Sequence, residues 1–290
     1  MSHPVKGIDH CFVLVNDLDT AAAQYAAMGF TLSPRGLHSA AKGSANYTIM
    51  FPDDYFELLG LLTPTELNAK RRKTLAEQGE GLHAIACRID TADSAAKALE
   101  ALGIATQDLN SFERPVPLPG GDTGVAAFST VTFAPDEVPL GMVFMCQHKT
   151  RETVWLPELL THQNTACGLD AILAISESPE EDAQRFARLW AAGQVVEDNG
   201  SCTVQTGQNS APLQLLKRSD MAALYPDIDL SKTASGAFTA LRIRVSDIDA
   251  ARACLAAAEL PAHDTTSGVA VSPEAASGAV LEFVQDRRQP

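Results

Sequence analysis

The sequence predicts an α+β fold of four βαβββ modules, paired into two half-barrel domains. Three observations carry that expectation. One strand-then-helix pattern occurs twice at matching spacing, two weaker copies follow, and every copy leads into strand-like runs that close on an apolar segment. A strand–helix–three-strand unit cannot close its own sheet, so copies are expected to pair side by side.

Taken in order, Gly7 to Val15 reads as a buried strand, and Asp17 then opens an Ala-rich helix that runs to Met28-Gly29. The pattern returns as Gly81 to Ile89, then Asp90, then a helix over Ala95 to Leu102 that stops at Gly103. His10 to Asp17 is seven positions, as is His83 to Asp90. Acidic N-caps and glycine stops explain why these punctuating residues recur. The third copy starts at Gly168-Leu169-Asp170 and enters its helix at Ser178-Pro179, with proline in the first turn. The fourth runs from Phe238 to Val245, with Asp247 opening a helix over Ala250 to Ala258. The closing apolar strands begin at Tyr55, Met142, Pro212 and Val280. Pro52-Asp53-Asp54 and Pro119-Gly120-Gly121-Asp122 supply turns.

Thr63 to Gly81 holds a short amphipathic helix, whose Lys70-Arg71-Arg72-Lys73 run reads as a solvated face, with an anion patch as the alternative. Lys149 to Ala166, carrying Trp155-Leu156-Pro157-Glu158, is expected to be a helical linker. The expected domains are therefore residues 1–148 (modules 1–62 and 80–148), a linker at 149–166, and residues 167–290.

The chain has 290 residues, 46% of them hydrophobic, enough for a sizeable core. With 36 acidic against 22 basic side chains its net charge is −14, which argues against nucleic acid and against an anionic membrane surface as partners. Residues 1–6 hold no apolar leader core, and no apolar run approaches the ~18 residues that span a bilayer. Six scattered cysteines form no C-x-x-C pair. A reduced, cytoplasmic protein is the expectation, monomeric or homodimeric.

The candidate chemistry starts from the first strands. Period-2 alternation puts Ile8, His10, Phe12 and Leu14 on one face, and His83, Ile85, Cys87 and Ile89 on one face of the second copy. Two histidines at equivalent places among apolar neighbours suggest a shared metal, because packing alone does not ask both copies for imidazole. Glu57, in the apolar strand Tyr55-Phe56-Glu57-Leu58-Leu59, is costly to bury without a cation or donor. His10, Glu57 and His83 would make a two-histidine, one-carboxylate site suited to a divalent Fe, Mn, Ni or Zn. An arginine partner or a solvent-facing strand end are the alternatives for Glu57. His148 offers a fourth ligand or a catalytic acid/base, or is an ordinary strand-end histidine.

These residues also carry a family likeness. Gly7-Ile8-Asp9-His10, Tyr55-Phe56-Glu57-Leu58-Leu59, Gly79-Glu80-Gly81-Leu82-His83, Gln147-His148, and Trp155-Leu156-Pro157-Glu158 with His162 and Asn164 resemble the glyoxalase-like domain proteins of the vicinal oxygen chelate superfamily. The resemblance spans nearly the whole chain. It implies paired βαβββ modules and a metal held by histidines of first strands and a glutamate of a last strand. In the second unit Phe144 or Met145 stands at the Glu57 position, and in the C-terminal half the matching positions hold Asp170, Gln214, Ala240 and Glu282. A set without histidine is a poor transition-metal site, so the second half is expected to be a degenerate copy that buttresses the first or helps close its pocket. His162 and Asn164 are expected to cap the linker helix or the strand after it. His3, His38 and His263 are expected in solvent, while Cys87 is placed to line the pocket.

Three functions follow. The first is a metal-dependent lyase or isomerase acting on a small oxygenated substrate chelated to a divalent ion. The alternative is a binding or resistance protein that sequesters a small molecule without chemistry. An extradiol-type dioxygenase ranks third, since four-module ring-cleaving enzymes normally carry their metal in the second half.

Overall fold

The computed structural model of the protein describes residues 2–118, 121–198 and 200–288. Pro119 and Gly120, half of one expected turn, lie outside the described residues. The first module comprises β1 (Ile8–Val15), α1 (Leu18–Ala27), β2 (Gly36–Leu37), β3 (Ser44–Met50) and β4 (Tyr55–Leu61). After α2 (Ala69–Gln78), the second comprises β5 (Gly81–Arg88), α3 (Ala92–Ala101), β6 (Thr106–Pro117), β7 (Thr123–Phe133) and β8 (Met142–His148). The third comprises β9 (Ala166–Ile175), α4 (Pro179–Ala187), β10 (Val195–Asp198), β11 (Ser201–Val204) and β12 (Leu213–Leu216). After α5 (Arg218–Leu224), the fourth comprises β13 (Ala240–Val245), α6 (Ile248–Ala257), β14 (His263–Asp264), β15 (Gly268–Val271) and β16 (Val280–Gln285).

Two eight-stranded sheets result, ordered β2-β3-β4-β1-β5-β8-β7-β6 and β10-β11-β12-β9-β13-β16-β15-β14. In each, the first strands of two modules pair antiparallel at the centre (β1 with β5, β9 with β13), and each pairs parallel with its own module's last strand. The pairing of modules into half-barrels is thus present in both halves.

The segment between the sheets differs from its expectation. Instead of a helix, the described residues form two 3-10 turns, Arg151–Thr153 and Pro157–Leu159. Pro157 fits the start of a turn because its missing N–H has no partner to lose there. His162 and Asn164 cap something other than this segment. Asn164 donates from Nδ2 to the Met28 carbonyl at 3.0 Å, and His162 Nδ1 accepts from Thr31 N–H at 3.0 Å. His162 Nε2 donates to Met50 O at 2.8 Å, and only Asn164 Oδ1 serves the following strand, through Ala166 N–H. They clamp the exit of α1, where Gly29 adopts φ +88° and an added Cβ would lie 2.7 Å from Cys254 Sγ.

The outer faces of the two sheets share one core. Phe30 stacks on Phe283 of the second half with ring centroids 5.6 Å apart, and the Tyr25 hydroxyl donates to Ala276 O at 3.1 Å. Burying rings of this size contributes about 1.5–3 kcal/mol each. All six cysteines are free thiols, and Cys87 packs in this core rather than lining a pocket. No helix among the described residues is long and apolar enough to cross a membrane.

One buried acid crosses between the halves: Asp54 accepts from the Leu169 N–H at 3.0 Å. Burial pushes its carboxyl up to about 6, against the lowering effect of that hydrogen bond and of Arg244 and Arg88. The folded chain therefore holds this proton more tightly than the unfolded chain. Its contribution to stability is complete below about pH 4 and is lost as the pH rises through about 6. Asp54→Asn keeps the acceptor oxygen and removes the buried charge. Urea melts should show the variant more stable than the parent by on the order of 2–3 kcal/mol at pH 8, with little difference at about pH 3.5.

Candidate metal centre on the concave face of the first sheet

All eight residues of β1 are buried, so every polar side chain on it must find a partner inside the protein. His10 lies between Tyr55 of β4 and Ala86 of β5, and Ala86 lies beside Phe144 of β8. Phe12 lies between Glu57 and Ala84. This row-by-row register places His10, Phe12, Tyr55, Glu57, Ala84, Ala86 and Phe144 on the concave face. It also assigns Phe144, rather than Met145, to the Glu57 position of the second unit.

The β1–β5 ladder slips at two places. Ile8 lies opposite Cys87 and His10 opposite Ala86, leaving Asp9 as an extra residue; His83 is likewise extra between Leu82 and Ala84. Such bulges re-aim side chains. Asp9, 1% exposed, accepts at Oδ1 from His10 Nδ1 at 2.8 Å and from His148 Nε2 at 2.9 Å. Its Oδ2 lies 3.7 Å from Arg88 Nε. Burial opposes ionisation of Asp9, but the hydrogen bonds from both imidazoles more than offset it, holding the carboxyl well below the usual carboxylate range. The two bonds leave His10 Nε2 and His148 Nδ1 as lone-pair atoms, and His148 Nδ1 is buried without a hydrogen-bond partner.

Aromatic side chains wall this cluster. Tyr55 stacks on His10 at 4.3 Å between ring centroids, and Phe128 and Trp155 each meet His148 edge-on at 5.0 Å. Trp155 is fixed by its Nε1 donating to Phe51 O at 2.9 Å, with the Arg151 guanidinium 3.3 Å above its ring. The 3-10 segment after β8 thus closes one side of the concavity.

Among the described residues, Asp9, His10 and His148 form a group whose possible ligand atoms all lie within 4.8 Å of one another. The expected trio of His10, Glu57 and His83 is not gathered in this way. His83 sits on its bulge beyond the Phe12 row and donates from Nε2 to Gly79 O at 2.8 Å, while Ile85 and Cys87 turn into the core between the sheets. Glu57 lies on the concave face but one row from His10, accepting from Asn46 Nδ2 at 2.5 Å. The register explains the separation, because the counterpart of His10 on β5 is Ala84 and His83 is the counterpart of Asp9. Burial raises the thiols of Cys11, Cys87 and Cys146, so none is poised as a thiolate nucleophile.

The residue missed by the sequence reading is Asp9. An aspartate inside an apolar strand is costly to bury without donors, as Glu57 is, and that is the signal the sequence carries.

The corresponding face of the second sheet is filled. Met221 and Tyr225, on and just after α5, pack against Ala171, Leu173, Ala240 and Val280. Glu282, fully buried, is consumed by Tyr225 Oη at 2.7 Å, Arg242 Nε at 2.5 Å and the Thr265 hydroxyl.

The family described as a glyoxalase-like domain matches residues 8–190. No curated protein matches the chain. Among solved structures, a hypothetical protein from Staphylococcus aureus aligns over 96% of this chain and 99% of its own, at 14% identity and TM-score 0.66. A mutant of 4-hydroxymandelate synthase from Streptomyces coelicolor aligns over 98% and 93%, at 13% identity and TM-score 0.54. A variant of homoprotocatechuate 2,3-dioxygenase from B. fuscum aligns over 98% and 72%, at 11% identity and TM-score 0.56. At these identities the likeness is one of fold.

Asp9→Ala leaves two imidazoles without their shared acceptor and Arg88 without its nearby carboxylate. Urea melts should show a loss of about 3–5 kcal/mol, with a change in Trp155 fluorescence. Asp9→Asn, which keeps one acceptor oxygen, should cost about 1–2 kcal/mol. An Asp9→Ala protein as stable as the parent would refute an organising role for Asp9.

Proposed function

Given that the chain belongs to the glyoxalase-like domain family, and with it to the vicinal oxygen chelate superfamily, we propose that it is a metal-dependent lyase or isomerase acting on a small oxygenated substrate. The observation that carries the reading is the buried Asp9–His10–His148 cluster on the concave face. One carboxylate and two imidazoles suit a first-row divalent ion, and the unpartnered His148 Nδ1 marks a donor set left incomplete by protein atoms alone. Asp9, His10 and His148 would hold the ion. When bound, it would supply Lewis acidity to polarise substrate oxygens.

The chain's own residues prepare the rest. Asp9 holds both imidazoles in position through their hydrogen bonds to Oδ1, and as a ligand its carboxylate would exchange those bonds for the ion. Tyr55, Phe128, Phe144 and Trp155 exclude water, which strengthens every electrostatic interaction in the site. Glu57 Oε1 has no hydrogen-bond partner among the described residues and faces the same concavity, so Glu57 is assigned the role of proton acceptor from substrate. His83, tied to Gly79 O, has no part in this scheme.

The same aromatic wall would also serve a protein that sequesters an apolar ligand without turnover, and metal content separates the two readings. Elemental analysis of purified protein, reconstituted with Fe(II), Mn, Ni or Zn, should give about one ion per chain. His10→Ala and His148→Ala should each lose at least tenfold in metal affinity, while His83→Ala keeps it. Turnover of small α-hydroxycarbonyl compounds should disappear on chelation and return with metal. A parent protein that takes up no ion, or a His10→Ala/His148→Ala protein that retains it, overturns the assignment.

A further inference from the structure

The concave face carries more positive charge than the proposed chemistry uses. Lys42 from the loop between β2 and β3, Arg71 from α2 and Arg114 from β6 all lie within electrostatic reach of Glu57. No ion pair of 4 Å or less joins Glu57 to any of them among the described residues. Three cations share one carboxylate that is already hydrogen-bonded to Asn46, in a chain whose net charge is −14. His38 adds no charge, because burial and the nearby Lys42, Arg114 and Arg71 push its pKa down to about 3.

The cluster is built rather than accidental. Arg71 Nε is buried without a hydrogen-bond partner, and so is Oδ1 of Asn46, the residue that donates to Glu57. Leaving a buried guanidinium N–H without an acceptor is costly. The Arg114 guanidinium and Asn46 Oδ1 both close on Gly36, where an added Cβ would crowd Asn46 Oδ1 and sit 2.8 Å from Arg114 Cζ and 2.9 Å from Nη1. The Lys42 ammonium stands 2.8 Å from the centre of the Phe112 ring. Its loop is tied to the start of α2 by Asn68, which donates to Lys42 O at 2.9 Å and Thr63 O at 2.8 Å. Within the basic run of α2, Arg71 therefore parts from the solvated face, its guanidinium 5.9 Å from the centre of the Phe12 ring.

We infer that Lys42, Arg71 and Arg114 form a subsite for an oxyanion, a carboxylate or phosphate, carried by the substrate. The inference rests on the proposed function only in taking the concave face as the substrate site. Guanidinium groups match the paired oxygens of either anion, and Asn46 Oδ1 accepts from a neighbouring hydroxyl of the ligand.

Calorimetric titration of the full chain with inorganic phosphate and with acetate, against chloride at matched ionic strength, tests this. One of the two anions should bind saturably at one site per chain, which also tells phosphate-bearing from carboxylate-bearing substrates. Arg71→Gln and Arg114→Gln should each weaken binding at least tenfold. Gly36→Ala, which removes no charge but crowds both Asn46 Oδ1 and the Arg114 guanidinium, should weaken it as well. Glu57→Gln should tighten it severalfold, an effect that damage to the fold would not produce. EDTA-treated protein should bind as the untreated protein does, so that failure of the metal assignment leaves this result standing and the reverse. Absence of saturable binding, binding unchanged in both arginine variants, or binding lost with the metal would overturn the inference.

Discussion

A carboxylate buried in the middle of a sheet constrains everything around it. Asp9 cannot be hydrated, and its ionised form survives only because two imidazoles and a guanidinium converge on it from β1, β8 and β5. The bulge that releases Asp9 from strict alternation also sets the side-chain direction of His10. His148, at the far end of β8, is drawn into the same cluster, and the turn after β8 then seats Trp155 against it. One slipped ladder position thus fixes a polar cluster, its tautomers and its aromatic wall.

The same slip shows how far the sequence could be read. The four modules, the strand–helix order and the pairing into two sheets were legible, because glycine stops, helix caps and alternation are local signals. The site was legible only in part. Matching His10 to His83 uses an offset of 73 (83 − 10), and the acids Asp17 and Asp90 support it. The structure uses 74: Gly7 matches Gly81 (81 − 7), Gly29 matches Gly103 (103 − 29), and the N-caps are Asp17 and Thr91 (91 − 17). At that offset Asp9 corresponds to His83, both extra residues of bulges, and His10 corresponds to Ala84. A slip of one residue exchanges the faces of a strand, so His83 does not share the face of His10. Convergence of His148 on Asp9 joins residues 139 positions apart and leaves no local trace.

The two halves show what separates a site from a scaffold in one architecture. Both sheets place an acid in the concavity, Glu57 in the first and Glu282 in the second. Glu282 is saturated by Tyr225, Arg242 and Thr265, and α5 with Tyr225 fills the space above it. Its ion pair is internally complete and offers nothing to a ligand. On the first face, Arg71 Nε, Asn46 Oδ1 and His148 Nδ1 remain unpartnered, while α2 lies over the Phe12 end. The shared core between the sheets then gives the completed half a mechanical role, since Phe283 and Ala276 pack and bond against α1 of the other half.

The unpartnered atoms on the first face are also sorted by kind. Toward the Asp9 end they are nitrogen lone pairs beside an anion, the chemistry of a cation site. Toward the Arg71 end they are a guanidinium N–H and the Asn46 carbonyl oxygen beside an excess of positive charge, the chemistry of a site for an anion that also carries a hydroxyl. Tyr55 and Glu57 lie between, on one strand. A molecule that satisfied both ends would carry an electron-rich oxygen at one end and a negative charge at the other, with its reacting carbon near Glu57. A neutral apolar ligand would leave both ends unsatisfied, at about 1–3 kcal/mol for each buried group without a partner. Polarity along this face therefore favours a polar, charged substrate over sequestration of an apolar one.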